Sequence, residues 1–274
     1  MDGAEISGVT FLAVALAAFV VVAGWEAWRP LAPSGPDVST RWLSNFGLLV
    51  SCHAAGYLIV PFAALVSRAI EPLASMLAPT WPAQTLAHAT LAAFLLLDLA
   101  HWGTHWLMHA WPLLWRVHQV HHCDEAFDVT VGARFHPLEV LINALAAAVL
   151  VLLAGLPPLA VGLAGCAIVA LNFFSHANAL LPPALERALR WALVTPDMHR
   201  LHHSSEGQDS RRNYGGALSV WDRLFGTYLE SDRSRHPALA IGVQELPGGS
   251  GFSVWKLLAL PMRRLPAPSA RPGA

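Results

Sequence analysis

Histidine is the residue type whose number and spacing in this chain could support chemistry. Fourteen of the 274 residues are histidine, and most of them occur in tight groups. His101 and His105 are four residues apart, and the pattern HxxHH occurs twice, in WRVHQVHH and in TPDMHRLHHS. Positions i, i+3 and i+4 share one face of a helix. The two HxxHH patterns contain His118, His121, His122, His199, His202 and His203.

Eight imidazole groups at such spacings predict metal binding. Neutral imidazole is a good ligand for iron, zinc, copper and nickel, and eight nitrogens exceed the number that one ion can use. Burying so many imidazoles near an apolar core without partners would cost on the order of several kcal/mol. A single HxxxH pair would more often be an ordinary hydrogen-bonded pair. The full set favours a site with two metal ions.

The overall composition is that of a membrane protein. Hydrophobic residues make up 55% of the chain, charged residues only 13%, and the mean hydropathy is +0.46. The net charge of -1 leaves no basic excess for phosphate groups, so no nucleic-acid partner is expected. The three cysteines are far apart and lack CxxC spacing, so neither a disulfide framework nor a thiolate zinc site is indicated.

The uncharged segments predict an all-α, multi-pass membrane helical bundle. We expect about three spanning helices, a helical hairpin broken by GLPP at residues 155–158, and a histidine-rich helical cap. Both arms of the hairpin leave from and return to the membrane face where the third helix ends. Three uncharged segments lie between Glu5 and Glu26, between Arg41 and Arg68, and from Val140 to Leu185. A further apolar segment begins at Ala83, ends in FLLLDLAHW and contains Asp98.

The distribution of arginine predicts the orientation of the chain in the membrane. Arginines flank the first loop and are frequent after the hairpin, so both regions are expected in the cytoplasm. The metal site is then on the cytoplasmic face of a bacterial-type cytoplasmic membrane. We divide the chain into N-terminal transmembrane helices (1–82), a di-metal catalytic domain (83–230) and a cytoplasmic or interfacial tail (231–274).

The histidine patterns resemble those of the fatty acid hydroxylase and sterol desaturase superfamily, which comprises integral-membrane di-iron oxygenases with histidine ligands. The similarity extends to RFHPLE at residues 134–139, NFFSHAN at 172–178 and NYGGALSVWDRLFGTY at 213–228. It covers roughly residues 91–228 and leaves the first two helices and the tail unassigned.

The resemblance implies two iron ions and an oxygenase reaction without catalytic residues beyond the metal ligands. A fatty acyl chain, sterol or related lipid would enter from the bilayer and be hydroxylated or desaturated with dioxygen. No flavin, haem or Rossmann signature occurs in the sequence, so electrons are expected from a separate protein. The implied metal ligands are His101, His105, His118, His121, His122, His176, His199, His202 and His203.

Several residues near these patterns have expected supporting roles. Asp98 is placed to orient the imidazole three residues later or to pair with an arginine. Arg134 and Glu139 are expected to pair at the base of the hairpin. His136 is expected to be either a structural residue or a metal ligand, and Asn172 is a candidate for a water-mediated contact with the metal. Ordinary structural or interfacial roles are expected for His53, His88, His109 and His236.

A different class of protein also gathers histidines. A metal transporter, or a membrane protein that zinc stabilises without oxygenase activity, is the alternative interpretation. Transporter ligands are expected near the middle of the membrane along a path, whereas these histidines are predicted at helix ends on one face. The pattern therefore favours the oxygenase, with zinc as a substitute for iron in preparations.

Overall fold

The described part of the chain is helical. The computed structural model describes residues 5–33, 35, 37–56, 85–206, 208–232, 236 and 238–263. Within these ranges no strand is present, and three isolated bridges are the sole extended pairings, which confirms the all-α prediction. The helices are α1 (Gly8–Trp28), α2 (38–56), α3 (Leu86–Ala110), α4 (Pro112–His122), α5 (Pro137–Ala154), α6 (Pro158–Ser175), α7 (Pro183–Leu189), α8 (Pro196–His202), α9 (Val220–Leu224) and α10 (Val254–Ala259).

Among the described residues, four helices are long and apolar enough to cross a membrane. They are α1, α3, α5 and α6, of 21, 25, 18 and 18 residues. Much of their exposed surface is apolar, as Val9 and Leu145 illustrate, so this protein is a multi-pass membrane protein. The predicted second span is described only as far as residue 56, within α2, and the rest of it lies outside the described residues.

The predicted hairpin is confirmed as α5 and α6. Gly155 follows α5 in the left-handed region with φ 59°, and its N–H bonds to carbonyls of the last turn of the helix. A glycine adopts this conformation without a Cβ clash. Pro158 then starts α6 at its first turn, where no N–H is needed. The ends of α5 and α6 that face away from the connection are therefore on the same side as the end of α3.

Helix α3 is central to the bundle and packs against α5 and α6. Small buried residues, Ala93 on α3 and Ala164 on α6, allow the helices to approach closely. This packing brings the C-terminal half of α3 next to the end of α6, where His176 caps the helix. Histidines that are far apart in the sequence thereby meet at one end of the bundle.

Asp98 holds the segment after α8 against α3. We call residues 183–228, which contain α7, α8 and α9, the cap. Its carboxylate accepts hydrogen bonds from the N–H groups of Ala217 at 2.9 Å and Leu218 at 3.0 Å, and from Trp221 Nε1 at 2.9 Å. The prediction that Asp98 orients a ligand imidazole is therefore wrong. A buried carboxylate in an apolar helix needs donors, and the cap provides three of them.

Asp222 makes a second connection between α3 and the cap. It accepts hydrogen bonds from Trp102 Nε1 at 3.1 Å and from the backbone N–H groups of Tyr214 and Gly215, both at 2.8 Å. Asp222 is fully buried. The segment between α8 and α9 is thus fixed by two buried carboxylates, one from each side.

Arg134 and Glu139 do not pair, contrary to the prediction. Arg134 precedes α5 and bonds instead to the carbonyl oxygens of Val120 at 2.8 Å and Gly249 at 3.1 Å and to Asn45 Oδ1 at 2.6 Å. Glu139 lies in the first turn of α5 and faces the histidines. The chain turns into α5 at Pro137, so the side chains of Arg134 and Glu139 point in different directions and bond to different residues.

Candidate metal centre

Nine histidines form two groups at the end of the bundle where α3 and α6 meet. Each residue offers one ring nitrogen, and the nitrogens of a group all lie within 4.8 Å of one another. All nine side chains are buried or nearly so, in the part of the chain that the structure describes. The first histidine group is His105, His109, His118, His122 and His202, and the second histidine group is His121, His176, His199 and His203.

Helices α4 and α8 each contribute to both groups. The HxxHH pattern of α4 gives its positions i and i+4 to the first histidine group and its position i+3 to the second. The pattern that begins in α8 gives its position i+3 to the first histidine group and its positions i and i+4 to the second. Helix α8 starts with Thr195 as the N-cap and Pro196 in the first turn, an arrangement typical of helix starts.

Helices α3 and α6 supply the remaining members. Residues 101, 105 and 109 are spaced by four and lie along one face of α3, and the second and third of them belong to the first histidine group. His176 follows α6 directly and belongs to the second. The first group therefore has five nitrogens and the second has four.

Hydrogen bonds fix the orientation of five of these rings. An imidazole whose Nδ1 lies against a carbonyl or carboxylate oxygen donates from Nδ1, which leaves the Nε2 lone pair free for a metal ion. Such bonds join Nδ1 of His105 to Tyr214 O (2.7 Å), of His118 to Glu139 Oε1 (2.7 Å), of His121 to Arg134 O (3.1 Å), of His176 to Asn172 O (2.7 Å) and of His202 to Arg212 O (2.7 Å).

Facing Nε2 atoms within each group indicate a cation between them. The Nε2 atoms of His105 and His202 are 3.0 Å apart, and those of His121 and His176 are 3.3 Å apart. All four rings donate from Nδ1, so lone pair faces lone pair. Two nitrogens that each lie about 2.1 Å from one ion at an angle of about 90° are about 3.0 Å apart, which fits these distances.

Burial favours the neutral form of the histidine rings. Burial lowers the pKa of His202 to about 4 and that of His176 to about 3. Neutral imidazole is the form that binds metal. In addition, the Nε2 atoms of His109 and His203 are buried without a hydrogen-bond partner. Orphaned nitrogens of this kind fit a metal ion as the missing partner.

A small cavity lies between the two groups. It has a volume of about 10 Å³, room for roughly one water molecule, and members of both groups line it. The other residues that line it are His101, Phe135, Glu139, Asn172, Ser175 and Gly216. Gly216 of the cap lies against His101, because a Cβ at that position would be 2.4 Å from the ring carbon Cδ2. The cavity therefore places a small space next to both groups.

The structure brings together eight of the nine histidines that the sequence singled out. His101 lines the cavity but belongs to neither group, whereas His109, which the sequence analysis assigned to an ordinary role, belongs to the first. The spacing of four residues between His105 and His109 was the signal that could have identified it. The packing of α3 against α4 and α8 decides that His105 and His109, and not His101, belong to the first histidine group.

His136 and Asn172 lie next to the site and bond to the backbone. The Nδ1 of His136 accepts from the N–H of Leu138 at 3.1 Å, which caps α5, and its Nε2 donates to Leu258 O at 3.2 Å. The side-chain amide of Asn172 donates to Gly132 O at 2.7 Å. Both residues thus stabilise the backbone around the histidines.

A comparison with known protein families identifies the class of this protein. The model of the family described as fatty acid hydroxylase matches residues 90–227, about half of the chain. The matched range contains both histidine groups and lies within the predicted domain of residues 83–230. The chain belongs to the fatty acid hydroxylase family.

Curated relatives are lipid-modifying enzymes. The chain is 27% identical over 198 residues to the ornithine lipid hydroxylase OlsE of Rhizobium tropici, which covers 72% of this chain and 58% of that protein. It is 31% identical over 144 residues to the alkylglycerol monooxygenase of Danio rerio (52% and 31%) and 28% identical over 172 residues to that of Homo sapiens (60% and 37%). The chain thus spans between about a third and three fifths of these relatives. No solved structure matches the chain.

Proposed function

We propose that the protein is a membrane-embedded di-iron oxygenase that hydroxylates a lipid. The observation that carries this proposal is the pair of adjacent histidine groups, in which rings held through Nδ1 direct their Nε2 atoms at one another. The names of the curated relatives support hydroxylation of a lipid and favour it over desaturation.

The residues of the chain would act by holding two iron ions and by positioning substrate. Iron in such a site would supply the oxidising power for an unactivated C–H bond, which no side chain has. The first and second histidine groups would bind one ion each. Glu139 would orient His118 through the bond between Oε1 and Nδ1, and it would keep that ring a strong ligand.

Substrate and electrons would reach the site from different directions. The apolar surfaces of α3, α5 and α6 meet lipid, so an acyl chain could approach from the bilayer without crossing water. Electrons would come from a separate protein that docks on the membrane face where the cap is exposed. The arginines after the hairpin favour the cytoplasmic face of the membrane for this side.

Metal content tests the first part of the proposal. The purified chain reconstituted with iron should bind about two ions, and His202→Ala should retain less iron in the presence of a chelator because one nitrogen of the first histidine group is lost. His53→Ala is the matched control, because His53 is exposed and its ring bonds to the carbonyl of Leu49 on its own helix. Elemental analysis and Mössbauer spectra measure the result. Equal iron content in His202→Ala and wild type would contradict the proposal.

Lipid analysis tests the reaction. Extracts of cells that overproduce the protein should contain a lipid heavier by one oxygen atom, and this product should be absent with His202→Ala. A lipid lighter by two hydrogens would indicate desaturation instead. An unchanged lipid profile together with metal flux into vesicles would favour the transporter.

Gly216 provides a test of the cavity. In Gly216→Ala the new methyl group would displace the ring of His101 into the cavity, because only 2.4 Å is available. We expect the iron content to remain and the rate of lipid product formation per iron to fall by about 10- to 100-fold. Gly103→Ala on α3 is the control, since its Cβ would meet nothing within 4 Å. Equal rates in the two variants would show that His101 and the cavity are not used.

A further inference from the structure

An apolar surface lies on the cap outside the four candidate spans. Helices α7 and α9 are joined by a bridge between Leu193 and Leu218 and by a bond of 2.7 Å from Ser219 Oγ to Arg190 O. We name residues 183–193 and 217–228 the α7–α9 platform. Its exposed large apolar side chains are Leu185, Trp191 (69% exposed), Val220, Leu224 (67%) and Phe225 (49%).

The platform is attached to α3 through a ring contact at Trp102. Phe225 stacks on Trp102 of α3 with the ring centroids 4.3 Å apart. Trp102 lies about 24 Å along the helix axis from Leu86, where α3 begins. The hydrocarbon core of a bilayer is about 30 Å thick. In a span that starts at Leu86, the contact between Trp102 and Phe225 is therefore below the opposite boundary of the core.

The lipid-facing surface of α3 continues onto the platform. Leu91 and Leu95 of α3 are exposed along the same helix that carries Trp102. Phe225 extends this apolar surface at the level of Trp102, and its chain neighbour Leu224 is also exposed. An exposed apolar surface that is continuous with a membrane span can be buried in the adjacent lipid leaflet.

Basic and aromatic side chains border the apolar residues. Arg187 on α7 is exposed, while Arg190 is paired with Glu186. The guanidinium of Arg223 lies 4.4 Å from the ring centre of Trp191 and 3.7 Å from that of Tyr228. Tryptophan and arginine side by side are typical of the interface between acyl chains and headgroups, where the apolar body and the charged end meet different surroundings.

We propose that the α7–α9 platform is embedded in the interfacial region of the bilayer, with Leu224 and Phe225 against the acyl chains and Arg187 at the headgroup phosphates. The bilayer would then hold the segment that supports the histidines, because Tyr214, whose carbonyl accepts from His105, lies just before the platform. This inference concerns membrane contact and is independent of the proposed reaction.

Site-directed spin labelling tests this proposal in the full-length protein. A nitroxide is attached at Leu224→Cys in nanodiscs of phosphatidylglycerol and phosphatidylcholine. The background carries Cys166→Ala, since Cys166 is partly exposed while Cys52 and Cys123 are buried. Arg211→Cys, at an exposed cap position outside the platform, is the matched control. Val220→Cys serves as a second platform position in case the first variant fails to fold.

The expected result is a loss of collisions with a water-soluble nickel complex at position 224, together with frequent collisions with dioxygen, which concentrates in lipid. The label at position 211 should show the reverse. Equal access of the nickel complex at both positions would overturn the proposal. Protection at 224 with spin-spin broadening that disappears on dilution with unlabelled protein would also overturn it, since a second copy would then cover the surface.

Discussion

Alanine in place of His109 is expected to reduce the iron that the chain retains against a chelator, because one nitrogen of the first histidine group is lost, whereas alanine in place of His101 should leave about two ions per chain. The ring centroid of His109 lies within 5 Å of the ring centroids of His118, His122 and His202. Its Nε2 is buried and has no hydrogen-bond partner. His101 lies outside both histidine groups.

The two variants form a matched pair, because both remove a histidine from the same face of α3. Elemental analysis of the reconstituted proteins and the dissociation rate of iron in a chelator are the measurements. Full iron content in His109→Ala with a loss in His101→Ala would restore the assignment that the family resemblance implies. A loss in both would place all three histidines of α3 at the site.

Alanine in place of Asp98 should strongly destabilise the cap. The substitution would leave three donors without an acceptor: the buried N–H group of Ala217, and the partly buried N–H group of Leu218 and indole Nε1 of Trp221. Each unsatisfied buried group costs about 1–3 kcal/mol, so the free energy of unfolding should fall by about 3 kcal/mol. Asp98→Asn keeps one acceptor oxygen and should have an intermediate effect.

Thermal unfolding in detergent and limited proteolysis between α8 and α9 measure this effect. Glu230→Ala is the control, because Glu230 is 78% exposed and its pairing with Arg190 at 3.3 Å is a surface ion pair worth less than about 1 kcal/mol. If Asp98→Ala unfolds at the same temperature as Glu230→Ala, other contacts hold the cap and the Asp98 carboxylate does not anchor it.

Local patterns in the sequence were sufficient for the helices and for most of the histidine positions. The GLPP break predicts the hairpin because Gly155 and Pro158 have strong backbone preferences. The start of α8 follows from Thr195 and Pro196 in the same way. Such features depend on residues close in sequence, so they can be derived without knowledge of the packing.

The partners of the buried charged groups could not be derived in this way. Asp98 bonds to residues about 120 positions later, and Arg134 bonds to α2 and to Gly249 near the end of the described chain. Sequence proximity suggested nearer partners for both. The role of His109 also depends on how α4 and α8 lie against α3, which the spacing of histidines along one helix does not determine.

The alternation of α4 and α8 between the two histidine groups amounts to a local two-fold symmetry. Exchanging the helices exchanges the groups, since each helix gives two rings to one group and one ring to the other. With respect to α4 and α8 the two ions would therefore be equivalent. The difference between them would come from α3 and α6, which supply two rings to one position and a single ring to the other. The ion next to His176 would thus have the more open coordination sphere and the faster exchange of its non-protein ligands.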